Sequence, residues 1–259
     1  GEILAGQPVR RAPIWEVELE LKAGRPAALL AVGADLSRRF PLLLEPRSKY
    51  FRGLELAGLV PARPPAGREL PPAGDSPAAA GWRKIIIGLI HRLTVAQDRL
   101  VNQPDDPDGW PAFWAGWQDL RAALKFARPL FGDDRYENSR RGLRAWEKSL
   151  GRRRDRAELS AAGPAAKLGC RNSTGGPGLG LTAGRRQMAA YLRLAVRAGR
   201  LTPILLDLWT YLSAEPVAKG PAVSLRQFSR SRLRNRLGKM LKTGRDIDFT
   251  DDRTVRRLA

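Results

Sequence analysis

Between Trp15 and Lys22 the chain reads WEVELELK, with Glu16, Glu18, Glu20 and Lys22 at every second position and Val17, Leu19 and Leu21 between them. A period of two is that of a strand; on a helix the same four charges would be scattered around the axis. Three carboxylates therefore share one face, neighbours roughly 7 Å apart, and they repel one another unless water, a cation or a metal ion lies between them. Two readings follow. The stretch is either an antiparallel strand with a wet outer face or the wall of a cation-lined or metal-lined cavity.

The sequence around it is organised in short pieces. Gly1 to Gly6 (GEILAG) reads as a strand running into a turn, and Pro13 to Lys22 as the acidic strand. Pro26 suits the first turn of a helix, and Ala27 to Arg39 carries Leu29, Leu30, Val32 and Leu36 at near-helical spacing. Leu42 to Glu45 is expected to be a second apolar strand, and Leu54 to Leu56 a last one, reached through Ser48, Lys49, Tyr50, Phe51, Arg52 and Gly53. The chain enters strand-like sequence at Gly1 without a methionine, which sets the expectation that its natural start lies upstream.

Residues 58–81 are rich in proline, glycine and alanine and hold no core-forming pattern, as in an interdomain linker. Beyond them the period changes to that of helices. Trp82 to Gln103 places Ile85, Ile86, Leu89, Leu93, Ala96 and Leu100 on one stripe. His91, the single histidine, lies in this helix and cannot by itself make a metal site or a triad. After a turn at Asp105 to Gly109 comes a second helix, in which Arg121, Lys125 and Arg128 recur at four and three residues and so share a ridge. A third helix, Tyr136 to Leu150, carries Arg140, Arg141, Arg144 and Lys148 and leads into Arg152 and Arg154. Residues 160–184 read as a disordered connection; their glycines lack the lysine and Ser or Thr that a phosphate loop needs. Val223 to Lys242 reads as a basic amphipathic helix.

Charge narrows the classes of partner. Lys and Arg number 46 against 26 Asp and Glu, a net +20, and residues 1–60 hold 9 basic and 7 acidic side chains, so nearly all of the surplus lies later. That favours polyanions: polyphosphate, nucleic acid or an acidic membrane surface. Cys170 is the only cysteine, which excludes an internal disulfide and a cysteine-rich zinc site. With no signal peptide and no 18-residue apolar run, the expected location is the cytoplasm, without membrane partners.

Two resemblances organise these observations. The succession GEI-x-AG, P-I-x-E-V-E-L-E-L-K-x-G, an Ala/Leu-rich helix and S-K-x-x-R-G resembles the C-terminal part of a CYTH domain, over about 58 residues. The resemblance implies part of an antiparallel β-barrel around a tripolyphosphate and divalent metal. It implies Glu16, Glu18 and Glu20 as ligands of Mg²⁺ or Mn²⁺ or of metal-bound water, and Lys22, Lys49 and Arg52 as phosphate holders. The E-x-E-x-K strand that completes such sites does not occur before Trp15. Residues 82–259 resemble a CHAD domain, through D-P-x-G, L-R-A-A-L-x-x-x-R-P-L and L-G-x-x-R-D at Leu150 to Asp155, with a weaker echo at 189–212. That resemblance implies a helical bundle in two repeats, the second truncated, which binds inorganic polyphosphate through Arg121, Lys125, Arg128, Arg140, Arg144, Arg152 and Arg154. The positions where the family's first motif carries histidine and arginine hold Pro111, Trp114, Gln118 and Asp119 here.

The expectation is an α+β chain: a partial antiparallel CYTH β-barrel (1–57), a linker (58–81) and an all-α CHAD-like bundle (82–259). Its expected function is binding of inorganic polyphosphate or tripolyphosphate. The alternatives are metal-dependent hydrolysis of tripolyphosphate, if the missing strands are supplied by a longer chain, and non-specific binding of nucleic acid.

Overall fold

The computed structural model describes residues 1–60, 72–161, 189–214 and 223–245, and among them the side chains of 151–161 and 242–245 are left out. Strands β1 (Glu2–Ala5) and β2 (Arg10–Pro13) pair antiparallel with Glu2 opposite Pro13, and an Ile14 N–H to Gly1 carbonyl bond of 2.7 Å closes the ladder. Helices α1 (Pro26–Arg39), α2 (Lys49–Ala57), α3 (Ala78–Asn102), α4 (Gly109–Phe131) and α5 (Asp134–Ala161) follow. Then come α6, described over residues 189–197, α7 (Thr202–Ser213) and α8 (Leu225–Arg245).

Three expected strands are not strands. Residues 15–21 form no regular element and pair with no strand among the described residues, where the sheet consists of β1 and β2. Trp15 is 93% exposed and Val17 61%, so the alternation orders charges without burying an apolar face. Residues 42–45 are likewise irregular. Leu54 to Leu56 lies inside α2, which Ser48 opens by accepting the Phe51 N–H at 3.1 Å, and which Gly58 closes with its N–H on Glu55 O and that of Leu59 on Leu54 O. These two caps fix a helix where the short Leu-Glu-Leu stretch by itself is ambiguous. The β content is one hairpin, and no barrel is formed among the described residues.

The helical part follows its stripes. Helix α3 starts four residues before Trp82, with Pro77 at its N-cap and Ala78 to Ala80, good helix formers, in its first turn. It packs along α4, and α5, α6 and α7 close the bundle around Trp117, Phe113, Ile86, Ile90, Leu93, Leu120, Leu143 and Leu205, all at most 1% exposed. Helix α5 runs past the expected Leu150 through Arg152 and Arg154. The glycine-rich stretch of 162–188, with Cys170, lies outside the described residues. Among the described residues no helix is long and apolar enough to cross a membrane.

The N-terminal arm does not stand apart from the bundle. Helix α1 packs along α7, where Arg38 donates to both oxygens of Asp207 at 2.5 and 2.6 Å. Gly199, at φ +70° in the α6–α7 turn, lets Pro41 pass so close that a Cβ there would lie 2.5 Å from its Cα. Residues 72–77 are stitched to the start of α8, with Leu225 N–H on Ser76 O and Arg226 N–H on Gly74 O, both 2.8 Å. Farther along α8, Arg232 and Arg236 hold their guanidinium carbons 5.7 and 5.1 Å from the centroid of the Phe126 ring on α4.

Candidate anion-binding surface

Two turns place the basic ridges. At the α3–α4 turn Arg99 bonds both oxygens of Asp106 and reaches Asp108 at 3.4 Å, which fixes where α4 begins. At the α4–α5 turn Asp133 caps α5 by accepting the Tyr136 N–H at 2.9 Å, and Asp134 and Glu137 in the first turn suit the positive end of the helix dipole. The buried Tyr136 hydroxyl donates to Leu124 O at 2.8 Å and locks the two helices in antiparallel register; its burial pushes the phenol's pKa far up.

That register lays the α4 ridge against an α5 ridge of Glu137, Arg140, Arg144 and Glu147. Arg121 is ion-paired with Glu147 at one end. At the other, Arg128 Nε lies 2.7 Å from Glu137, and Arg140 Nη1 bonds both of its oxygens at 2.9 Å. Between these pairs sit Lys125 and Arg144, both exposed and with no carboxylate partner among the described residues. The strip thus holds five cations and two carboxylates. Its ends are held by internal pairs and its middle faces solvent. Burial alone would raise Glu137, but hydrogen bonds from Arg128 and Arg140 outweigh it and hold this carboxyl below its ordinary value.

The predicted cations fall into three groups. Arg121, Lys125, Arg128 and Arg144 line the outer strip. Arg140, whose side chain is 8% exposed, is a brace for Glu137. Arg152 and Arg154 continue α5, but their side chains lie outside the described residues. Glu137 and Glu147 were missed in the sequence reading, although their positions three residues before Arg140 and three after Arg144 mark them as members of the same ridge. His91 is exposed on α3.

The N-terminal candidates meet one another. Lys49 Nζ lies 2.7 Å from Glu18 and 3.2 Å from Glu16, and Arg52 pairs with Glu16. Burial raises Glu16, but hydrogen bonds from Arg52 and Lys49 more than reverse this and leave it lowered; Lys49 is raised, first by Glu18 and then by Glu16. Glu20 pairs instead with Lys22 at 2.6 Å, out in solvent. Among the described residues no group of three or more His, Cys, Asp or Glu could hold a metal ion. With their carboxylates engaged by cations, Glu16, Glu18 and Glu20 do not fit Mg²⁺ or Mn²⁺ in this arrangement. The nearby depression of about 520 Å³ between the hairpin and α2 is lined mostly by apolar residues, among them Ile3, Ile14 and Leu54.

A buried ionic node that the sequence reading missed ties this arm to the bundle. Arg47 bonds Glu45 at 3.0 Å, Glu55 at 2.8 Å and Asp98 of α3 at 2.9 Å, and Asp98 also accepts from Asn102 at 2.6 Å. Burial raises the Asp98 carboxyl, against the pull of Arg47.

Comparison with known families gives a match of the CHAD domain model to residues 85–258. No CYTH domain match accompanies it. No curated protein and no solved structure matches the chain.

Proposed function

The chain belongs to the CHAD domain family, and on that footing we propose that it binds inorganic polyphosphate along the strip between α4 and α5. One observation carries the reading: Lys125 and Arg144 stand exposed, with no carboxylate partner among the described residues, between two internally paired ends. Guanidinium and ammonium groups there exchange hydration for charge-assisted bonds to phosphate oxygens, and a linear ligand gains one such contact per cation it passes. Nucleic acid offers the same phosphates, but it gains further affinity where bases can stack. On this ridge the ring of Trp114 is packed against the core.

The experiment is a competition titration of long-chain polyphosphate against duplex DNA at near-physiological salt, in the native sequence and with Arg121, Lys125 and Arg128 changed to alanine. The reading expects polyphosphate to win and the triple substitution to remove its advantage. Equal binding of both ligands, fading together with salt, would reduce the site to diffuse charge.

A second reading concerns residues 1–57. Lys49 and Arg52, on a separate helix, meet Glu16 and Glu18, so residues the CYTH resemblance assigns to one phosphate and metal site do converge. Hydrolysis of tripolyphosphate would need those pairs to open for a divalent ion. It is tested by phosphate release with Mg²⁺ or Mn²⁺ that Glu18→Ala abolishes; without such release the arm is a structural support.

A further inference from the structure

Helix α8 brings two guanidinium groups to one aromatic ring. Arg232 and Arg236, one turn apart, both lie over the Phe126 ring, which Trp82 meets at 4.9 Å. Both guanidinium carbons are within 6 Å of one centroid, and no ion-pair partner is found for either among the described residues. Helix α8 has eight basic residues and no acidic one in its sequence. Arg232 Nε and Trp82 Nε1 are buried and have no hydrogen-bond acceptor. The ring offers the guanidinium groups an aromatic contact but no ordinary acceptor, and both residues remain partly exposed to a ligand. An oxyanion beside the pair would supply a counter-charge that the described residues do not.

The position of this pair relative to the α4–α5 strip follows from the helix. Phe126 is the residue after Lys125, about 100° further around α4, and Lys125 in turn shares its ridge with Arg121 and Arg128. Going around α4, one meets the α8 arginines over Phe126, then Lys125, then the ridge against α5. The cations of α8 and α5 flank one exposed face of α4.

We propose that Arg232 and Arg236 form a second phosphoryl subsite, contiguous with the α4–α5 strip, which makes binding selective for phosphate chains longer than tripolyphosphate. The inference rests on the polyphosphate reading of the strip. A short chain occupies the strip alone. A long one continues across Lys125 onto α8, and the second contact, being intramolecular, multiplies the affinity of the first.

The test compares tripolyphosphate with long-chain polyphosphate on the full chain, by calorimetric titration at fixed salt, for three double variants. With Arg232→Gln/Arg236→Gln, long-chain affinity falls at least tenfold while tripolyphosphate affinity changes less than twofold. Arg232→Lys/Arg236→Lys keeps the charge and the aliphatic packing but loses the planar fork of donors, and recovers only part of the loss. Lys125→Ala/Arg144→Ala weakens both ligands. Unchanged long-chain affinity in the glutamine pair overturns the subsite, as does an equal loss for both ligands. If the alanine pair binds both ligands like the native sequence while the glutamine pair loses the long chain, the strip reading fails and the α8 subsite stands.

Discussion

At the scale of single residues, Arg47 shows how much hangs on one buried cation. It faces Glu45, Glu55 and Asp98 with its side chain 11% exposed, so its removal leaves Glu55 and Asp98 with no cation among the described residues and Glu45 with only Arg52, at 3.8 Å. Breaking a buried ion pair from one side costs about 3–5 kcal/mol, and Arg47→Met should cost that much in urea unfolding. Asp98→Asn should be nearly neutral, since its carbonyl oxygen still accepts from Arg47 and Asn102 while the cluster loses surplus negative charge. The two substitutions also separate in pH. Asp98 is raised in the folded state, so its ionisation costs stability at neutral pH, and that cost fades as pH falls through the raised value. Glu16 and Glu137 are lowered, so each adds stability that is complete above the unfolded value of about 4.3 and is lost as pH falls through the folded one. Unfolding midpoints measured from pH 3 to 7 should therefore show a flatter acid limb for Glu137→Gln and a steeper one for Asp98→Asn. The reverse order would mean that the cation partners do not set these carboxyls.

Helix α4 is the element on which the candidate function turns. Gln118 stands on its exposed side, three residues before Arg121 and seven before Lys125, so it extends the basic ridge by one turn with a neutral side chain. Gln118→Arg should tighten polyphosphate binding several-fold and steepen its salt dependence by about one ion released, whereas Lys125→Ala should do the opposite. An unchanged salt slope in Gln118→Arg would place the ligand elsewhere. The existence of α4, and of α1, α3 and α8, was legible because each carries an apolar stripe long enough to exclude a strand. The short pieces were not. Two leucines flanking Glu55 fit either element, and only Ser48 and Gly58, read as caps, could have shown α2 in advance. The alternation in 15–21 was real, but a strand also needs a neighbour, and sequence period says nothing about whether one is present. In the same way the ridge of Arg121, Lys125 and Arg128 could be read from spacing, whereas its pairing with Glu137 and Glu147 depends on the α4–α5 register that Tyr136 and Asp133 fix.

For the whole molecule, the uneven charge makes stability itself a reporter of binding. The net +20 lies almost entirely beyond residue 60, and self-repulsion on that scale opposes the compact state. Simple salt should therefore raise the melting temperature modestly by screening, with an effect that levels off as the Debye length falls below the spacing of the surface charges. A ligand that binds only the folded state adds a different increment, about 2.7 kcal/mol at a hundred times its Kd, which for a chain of this size corresponds to roughly 5–10 °C. Polyphosphate at low salt should give that increment at a phosphate concentration far too small to matter as ionic strength. Added sodium chloride should then erode the polyphosphate shift while its own screening shift persists, because the first depends on ions released at specific cations and the second does not. The opposite signs make the comparison decisive. If sodium chloride matched for ionic strength reproduces the whole polyphosphate shift, the positive surface acts only as a diffuse field, and neither the α4–α5 strip nor the α8 arginines form a site.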